Sequence, residues 1–406
     1  MFTSLFKGLH QTAAYFIGEI KESFRDSGTI VMFILGMIAY PVLYSIGYLK
    51  EVVKDIPVAV VDLDHSLLSR QLNRMIDATE QVTVMFKPNS LKEAEDLFYK
   101  GEIAGVFVID KGFEKNVYNG NQGEVSVYSD AGHFLLYKQV LSGALFSSQT
   151  MAAGIEIKNL LQKGKTLQQA MDAREPLNVN VHSLYNPNGG YASFVVPGIL
   201  IIVIQQTLLI GIGILWAKHR ERKSYHYLKA AINQRWAGLK ILLGQSAAYV
   251  SIYIFTSFLI LGLFYRFMNF PEEGTFAQVF YLLIPYLFSV AFLGMTIGVM
   301  FKKRVHALIF LVFISPSVFF VSGAAWPVQA LPLMLRQISY ILPSTPMINA
   351  FIRLRMYGGG LRTIAAEYKI IIIQMVVFFF MALIAYIIKL KTLRAKVAAG
   401  AIVIPD

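Results

Sequence analysis

The sequence predicts a polytopic α-helical membrane protein, with six transmembrane helices and an α/β extracytoplasmic domain inserted between helices 1 and 2. Three observations predict it. The residues AVILMFWYC make up 55% of the 406-residue chain and the charged residues only 15%, where about 25% charged is usual in soluble domains. With a mean hydropathy of +0.53, the chain would expose large apolar areas in water. Apolar runs of the roughly 20 residues that cross a hydrocarbon core occur near the N-terminus and then only after a gap of about 140 residues, a typical domain size. Lys and Arg cluster in alternate loops. The composition excludes a disordered or collagen-like chain. The absence of cysteine excludes disulfides, thiolate nucleophiles, zinc thiolate sites and iron–sulfur clusters.

Residues 1–28 read as a cytoplasmic amphipathic helix lying in the membrane interface. Phe2, Leu5, Phe6, Leu9, Ala13, Phe16, Ile20 and Phe24 recur at spacings of three and four, with Lys7, Gln11, Lys21, Glu22 and Arg25 largely off that stripe. The segment lacks the compact apolar region of a cleavable signal peptide. Residues 29–49 are the first span, with its apolar run at 30–49. Five further runs follow, at 194–217, 241–267, 276–301, 307–323 and 370–388. The fifth is short and contains Pro316.

The formal net charge is +12, and its placement is topological. Lys218, Arg220, Arg222, Lys223, Lys229, Arg235 and Lys240 follow the second span. Lys302, Lys303 and Arg304 follow the fourth, and Lys389, Lys391, Arg394 and Lys396 follow the sixth. The intervening loop 269–275 has no Lys or Arg. The positive-inside rule then gives an inner-membrane, multi-pass protein with both termini cytoplasmic, including a tail at 391–406. Membrane lipid, and not nucleic acid, is the expected partner of this charge.

Residues 50–191 form the extracytoplasmic domain. Ile56-Pro-Val-Ala-Val-Val-Asp62 has the β-branched pattern of a buried strand. Residues 66–78 are helical, 82–86 a strand, and Ser90-Leu-Lys-Glu93 a capping box opening a helix to Lys100. Strands are predicted at 103–109 and 124–129, and one or two long helices over 134–173. The alternation over 177–184 predicts a strand returning to the sheet. Asn186-Pro-Asn-Gly-Gly190 is a turn just before the second span.

A catalytic reading finds little support. Asp62-Leu-Asp64-His65-Ser66 follows a strand, as a phosphoryl-transfer nucleophile with Mg²⁺ does, but no second acidic motif with a phosphate-binding Lys accompanies it. Capping of the next helix by Asp64 or Ser66 is the favoured reading. Gly164-Lys165-Thr166 resembles the end of a phosphate loop, yet Asn159 stands where that loop needs glycine and a helix, not a strand, precedes it. The seven histidines have no metal-ligand spacing, and no Gly-x-Ser-x-Gly elbow occurs. No catalytic or metal-ligating residue is assigned.

Polar residues within spans are costly and therefore informative. Gln205, Gln206 and Thr207 lie midway along the second span, Gln245 and Ser246 early in the third, and Gln374 in the last. Two readings suit them equally: a translocation path or subunit interface, and hydrogen bonding between helices, worth about 0.6 kcal/mol each. After the fifth span, Ser322-Gly323-Ala-Ala-Trp326-Pro327 and Pro332 lead to Pro343 and Pro346. Prolines and glycines at this density break a membrane helix, which is tolerated at membrane depth only against protein or water. Apolar residues resume between the prolines, so a re-entrant segment at about 323–346 is favoured over an ordinary loop.

In this order the elements resemble the membrane subunit of an ABC-2 type exporter, a drug-efflux-like permease with a large extracytoplasmic domain. The resemblance covers nearly the whole chain. It rests on the surface helix, the opening Ile56–Leu72 of the inserted domain, Tyr185-Asn-Pro-Asn188 leading to Phe194-Val-Val-Pro-Gly198, and the Ser322-Gly323 segment with its prolines. Members often carry a Glu-Arg-Glu-x-Gly-Thr run after the second span. Here Arg220-Glu-Arg-Lys-Ser224 keeps the Glu-Arg and lacks the Gly-Thr. The resemblance implies an export permease that works with ABC ATP-binding subunits in trans and with a second permease subunit, alike or different. It implies no cofactor in this chain, with ATP and Mg²⁺ in the partner ATPase. Arg220, Glu221, Arg222, Tyr225 and Lys229 would couple to that ATPase, and a periplasmic adaptor is a further implied partner. The competing reading is a membrane receptor or scaffold with an extracytoplasmic binding domain. The re-entrant segment and the span-interior glutamines favour transport over it.

Overall fold

The computed structural model describes residues 2–48, 50–177, 179–187, 189–221 and 236–398. They divide into two units: Val52–His182, and Met1–Glu51 with Ser183–Asp406. The inserted unit is narrower than residues 50–191, because Glu51 and residues 183–190 belong with the membrane helices. The reason is local. The Glu51 carboxylate accepts from the Ser193 hydroxyl (2.7 Å) and N–H (3.1 Å), capping the second span. The Asn186 side-chain amide meanwhile closes a ring on both backbone groups of Gly190.

Two helices precede the inserted unit: α1 (Phe2–Arg25) and the first span α2 (Ser27–Gly47), with a π-helical turn at Val31–Gly36. The inserted unit then runs β1 (Ile56–Asp62), α3 (Leu67–Asp77), β2 (Val82–Phe86), α4 (Leu91–Tyr99), β3 (Gly105–Ile109), α5 (Phe113–Tyr118), β4 (Val125–Ser129), α6 (Phe134–Gln162) and α7 (Leu167–Arg174). The sheet order is β2-β1-β3-β4. The β1 strand is parallel to β2 and β3, and β4 is antiparallel to β3. Because successive side chains point to opposite faces, Val58 and Val60 pack with Leu72, Ile76 and Val140. Ala59 and Val61 pack with Ala94, Val106 and Val108 on the other face. A strand buried on both faces reads as a continuous apolar run, which is how β1 reads.

The strand expected over 177–184 does not form among the described residues. Leu177, Val179, Val181 and Leu184 are all exposed; alternation alone makes no strand where no sheet edge receives it. The Asp62–Ser66 turn is a capping device. Ser66 accepts from Ser69 N (3.0 Å) and caps α3. Asp64 accepts from Gly112 N (2.7 Å) and Glu114 N (3.0 Å) at the start of α5. Glu114 in turn accepts from Leu68 N of α3 (3.1 Å), so each helix start is capped from the other side. Thr166 forms a capping box with Gln169 at the start of α7, and the residues before Gly164 are helical.

The membrane unit continues with α8 (Tyr191–Glu221), α9 (Ala237–Phe267), α10 (Phe276–Gly298), α11 (Arg304–Val321), α12 (Leu333–Ser339), α13 (Ser344–Phe351) and α14 (Ala365–Ala398). Among the described residues six helices are long and apolar enough to span: α2, α8, α9, α10, α11 and the α14 region. The second span, α8, is buried along its whole apolar window, whereas the fifth, α11, is 17% buried there. The end of the bundle that carries Lys218, Arg220 and Arg304 is called the basic end below; Glu51, Tyr191, Glu272 and Tyr357 lie at the far end.

Between α11 and α14 the chain turns back into the bundle. The fifth span brings Ala324 against Gly198, 3.0 Å from where a Cβ would stand. Helix α12 then leads to a tip at 340–344, where Ser344 N donates to Gln205 Oε1 (2.8 Å). Gln205 lies fourteen residues into the second span, about 21 Å from its start at 1.5 Å per residue. The returning limb, α13, brings Ile348 back to the level of Gly198. The far end is pinned by Arg355, which is fully buried. It donates to Gly274 O (2.7 Å), pairs with Glu272 (2.7 Å) and lies over the Tyr265 ring. Gly274 is required there, because a Cβ would sit 1.8 Å from Leu354 O.

The capping at Asp64 gives a pH-dependent prediction. Burial raises its pKa, but hydrogen bonds from Ser66 and the backbone of Glu114, Gly112 and Phe113 outweigh this and hold it below the usual carboxylate range. Its stabilisation is therefore full above the unfolded value of about 4 and is lost as pH falls through the lower folded value. Asp64→Ala should destabilise the inserted unit by about 1 kcal/mol at neutral pH. Hydrogen exchange should report it as faster exchange at Gly112 and Glu114, with an acid limb flatter than in the parent.

Candidate functional site

Two polar clusters tie the surface helix α1 and the first span to the bundle at its basic end. The first centres on Asp26, which is 4% exposed. Its carboxylate caps the first span by accepting from Thr29 N (3.0 Å) and Thr29 Oγ1 (3.1 Å). It also pairs with Arg304 (2.9 Å) at the start of the fifth span and Lys218 (3.3 Å) near the end of the second. Lys218 reaches Glu22 of α1 as well (3.1 Å). Burial raises the pKa of Asp26, but the Thr29 N–H and the two cations outweigh it, so the carboxyl stays below its ordinary range.

The second cluster centres on Glu19. The polar seam of α1, with Thr12, Glu19 and Ser23, faces the third span, while Leu9, Ile17 and Phe24 are exposed. The protein-facing side of this amphipathic helix is thus its small polar side, and its exposed apolar side suits the membrane interface. Glu19 is 5% exposed. It accepts from the Tyr249 hydroxyl and from Gln245 Nε2 (2.6 Å). Gln245 Oε1 accepts from Tyr386 of the sixth span (2.8 Å). Burial pushes the Glu19 pKa up, opposed by these hydrogen bonds. Gly244 makes the approach of α1 possible, since a Cβ there would lie 2.7 Å from Thr12 O and Tyr15 Cβ.

The residues picked from the sequence fall into three places. Arg220 and Glu221 bond within the bundle. Arg220 donates to Val299 O (2.9 Å) and Phe301 O (3.3 Å), capping the fourth span, and Glu221 accepts from Arg304 N (3.2 Å). Arg222, Tyr225 and Lys229 lie outside the described residues. The span-interior residues each have a partner. Gln205 bonds the hairpin tip, Gln206 donates to Ser315 of the fifth span (2.7 Å), and Gln374 donates to Tyr340 O (2.7 Å). Thr207 bonds back to Val203 O (2.6 Å), and Gln245 belongs to the Glu19 cluster.

In the re-entrant segment, Ser322 is buried at the end of the fifth span. Gly323 has φ 96° and lies where a Cβ would meet Val328. Trp326 is exposed. Pro327 precedes the short helical turn Val328–Ala330, and Pro332 starts α12. Sequence reasoning missed Glu19, Asp26 and Arg355. The available signal was a carboxylate four residues before Ser23 and seven after Thr12, on one face of a helix abutting a span.

Among the described residues no group of His, Asp or Glu is placed to hold a metal. What the site offers is mechanical: a surface helix bolted to the third span, a charge cluster joining the first, second and fifth, and a hairpin entering beside the second. Residues 27–384 match the model of the ABC-2 family transporter proteins, and the chain belongs to that family. It is 23% identical over 322 residues to ABC transporter G family member 20 of Dictyostelium discoideum, covering 75% of this chain and 41% of the relative. It is 25% identical over 209 residues to the probable multidrug ABC transporter permease YbhR of Escherichia coli, covering 50% of this chain and 55% of the relative. The matched region is therefore less than two thirds of either relative.

Removing Asp26 leaves Lys218 with Glu22 alone and takes away both the cap of the first span and the partner of Arg304. Asp26→Ala should cost about 3 kcal/mol, measured by denaturation with sodium dodecyl sulfate at pH 7. The difference from the parent should shrink below about pH 4, as the parent carboxylate takes up its proton.

Proposed function

We propose that this chain is the membrane-spanning permease subunit of an ATP-driven exporter. It works as one of a pair, with ATP-binding subunits docked at the basic end, which is the cytoplasmic side. The inserted domain lies outside, and the cargo is an amphiphile moved from the inner leaflet or cytoplasm outward. The observation that carries the reading is the double attachment of α1: the Glu19 carboxylate to the third span, whose Gln245 is held in turn by Tyr386 of the sixth, and the Asp26–Lys218–Arg304 cluster to the second and fifth. A rigid lever on the surface, joined to most spans, is what an external engine requires. The lysine- and arginine-rich loops at that end support the orientation, and the name of one relative, a probable multidrug permease, supports a drug-like cargo.

The steps follow from the geometry. Closure of the ATP-binding subunits moves α1 and the end of the second span. The Asp26 cluster passes that displacement to the first and fifth spans. Because Gln205, Gln206 and Gln374 bond the hairpin tip and the fifth span to the second and sixth, movement at the basic end reaches the hairpin. Packed interiors respond by switching between discrete arrangements and not by continuous bending.

Isolation of the tagged chain in mild detergent with trapped nucleotide should bring down a stoichiometric ATP-binding subunit. Its absence under several detergents overturns the reading and favours a receptor or scaffold. In the assembled complex, Gly244→Leu should push α1 off the third span, leaving ATP hydrolysis in place while transport is lost.

A further inference from the structure

The far end of the bundle holds a cavity that the mechanism above does not use. It has a volume of 140 Å³ and lies between the start of the second span, the turn after the fifth span and the end of the returning hairpin limb. Phe194, Ile352, Met356 and Leu184 supply apolar walls, and Gly198 and Ala324 supply the narrow side. None of the lining residues is charged. The one amide, that of Asn186, is engaged with both backbone groups of Gly190. The chemistry of this lining suits an apolar group.

Two tyrosines border the cavity. The Tyr185 and Tyr357 rings are stacked, with centroids 4.3 Å apart and an interplanar angle of 23°. Tyr185 has φ 63°, a conformation that residues other than Gly, Asn and Asp seldom adopt. It is held there by a turn in which Asn186 N donates to Leu184 O (2.8 Å) and Gly189 N to Asn186 O (2.9 Å). Such strain persists where the surroundings over-determine it, and it collects at ligand clamps and switches. Tyr357 ends the π-helical turn Ile352–Met356, itself a feature frequent at functional sites. Three glycines follow it, of which Gly358 has φ 63°. One ring is thus fixed by a strained turn, and the other is followed directly by a left-handed glycine.

We propose that this cavity is a subsite for one apolar group of the exported molecule, a phenyl ring or short alkyl chain, and that Tyr185 and Tyr357 are the clasp that closes it. The volume is about that of an apolar cavity that takes up benzene. It is smaller than the roughly 300 Å³ at which whole-ligand pockets begin, so it holds a part of the cargo and not all of it. The position fits a late point on the route, beside the seam where Ala324 meets Gly198. The inference rests on the exporter reading and narrows its substrate class to amphiphiles carrying a neutral aromatic or alkyl group.

The chain has no cysteine, so Met356→Cys gives a single reporter in the cavity, with Ile352→Cys as a second position if the first fails to fold. The chain is purified into nanodiscs without nucleotide. It is treated with benzyl methanethiosulfonate or with the charged trimethylammonium-ethyl reagent, and the exposed Phe313→Cys serves as the bilayer control. The expected result is slowing of the benzyl reaction at position 356 by benzyl alcohol, by about tenfold, with no slowing at 313. Tyr185→Ala with Tyr357→Ala should then admit the charged reagent that the parent excludes.

Equal reactivity toward both reagents with no protection by benzyl alcohol overturns the subsite. An unchanged rate for the charged reagent in the double variant overturns the clasp. The labelling needs neither ATP nor a partner, so its failure is separable from failure to isolate an ATP-binding subunit.

Discussion

A carboxylate taken out of water must be met by donors, and the surface helix is organised around that requirement. Glu19 is buried against the third span, and its two oxygens are occupied by the Tyr249 hydroxyl and the Gln245 amide. Both donors come from the third span, and Gln245 is itself held in place by Tyr386 of the sixth, which donates to its Oε1. A single unmade bond of this kind costs about 1–3 kcal/mol, and more for a charged group. The helix therefore has one register on the bundle in which the Glu19 carboxylate is satisfied. Gly244 lets the backbones come close enough for that register to form.

The same logic recurs at the other polar points of the membrane unit. Asp26 is simultaneously a helix cap and an ion-pair centre, so the start of the first span, the end of the second and the start of the fifth share one set of charges. Gln205 caps the hairpin tip at depth, which makes a broken helix tolerable inside the bundle. Arg355 binds Gly274 and Glu272 at the far end and fixes the loop between the third and fourth spans to the returning limb. Each of these bonds joins elements distant in sequence.

The membrane spans were legible because a 20-residue apolar run has few alternative explanations. The sheet was legible too: β1 and β2 have the predicted bounds, because β-branched runs bounded by turn residues carry strong local signals. The turn back into the bundle after the fifth span falls where prolines, glycines and resumed apolar residues made a re-entrant segment the expectation. What could not be read was pairing. Gln245 is as polar in the sequence as Gln205, yet one anchors a surface helix and the other a hairpin. Nothing local to either residue distinguishes them. The segment 177–184 failed for the converse reason: its alternation is a genuine strand pattern, but among the described residues no strand of the sheet pairs with it and its apolar residues stay exposed. Arg220 and Glu221 were picked for an external contact and spend their hydrogen bonds inside the bundle. Arg222, Tyr225 and Lys229 fall outside the described residues.

On the function proposed above, force enters through α1 and the Glu19 attachment carries it. The most direct measurement is the change in reactivity of a far-end cysteine when nucleotide is trapped in the assembled complex, compared between the parent and Glu19→Ala. The account predicts that trapping alters the rate in the parent and leaves it unaltered in Glu19→Ala, with ATP hydrolysis retained in both. An identical change in the two proteins would show that the signal reaches the far end without this attachment, and would contradict the account.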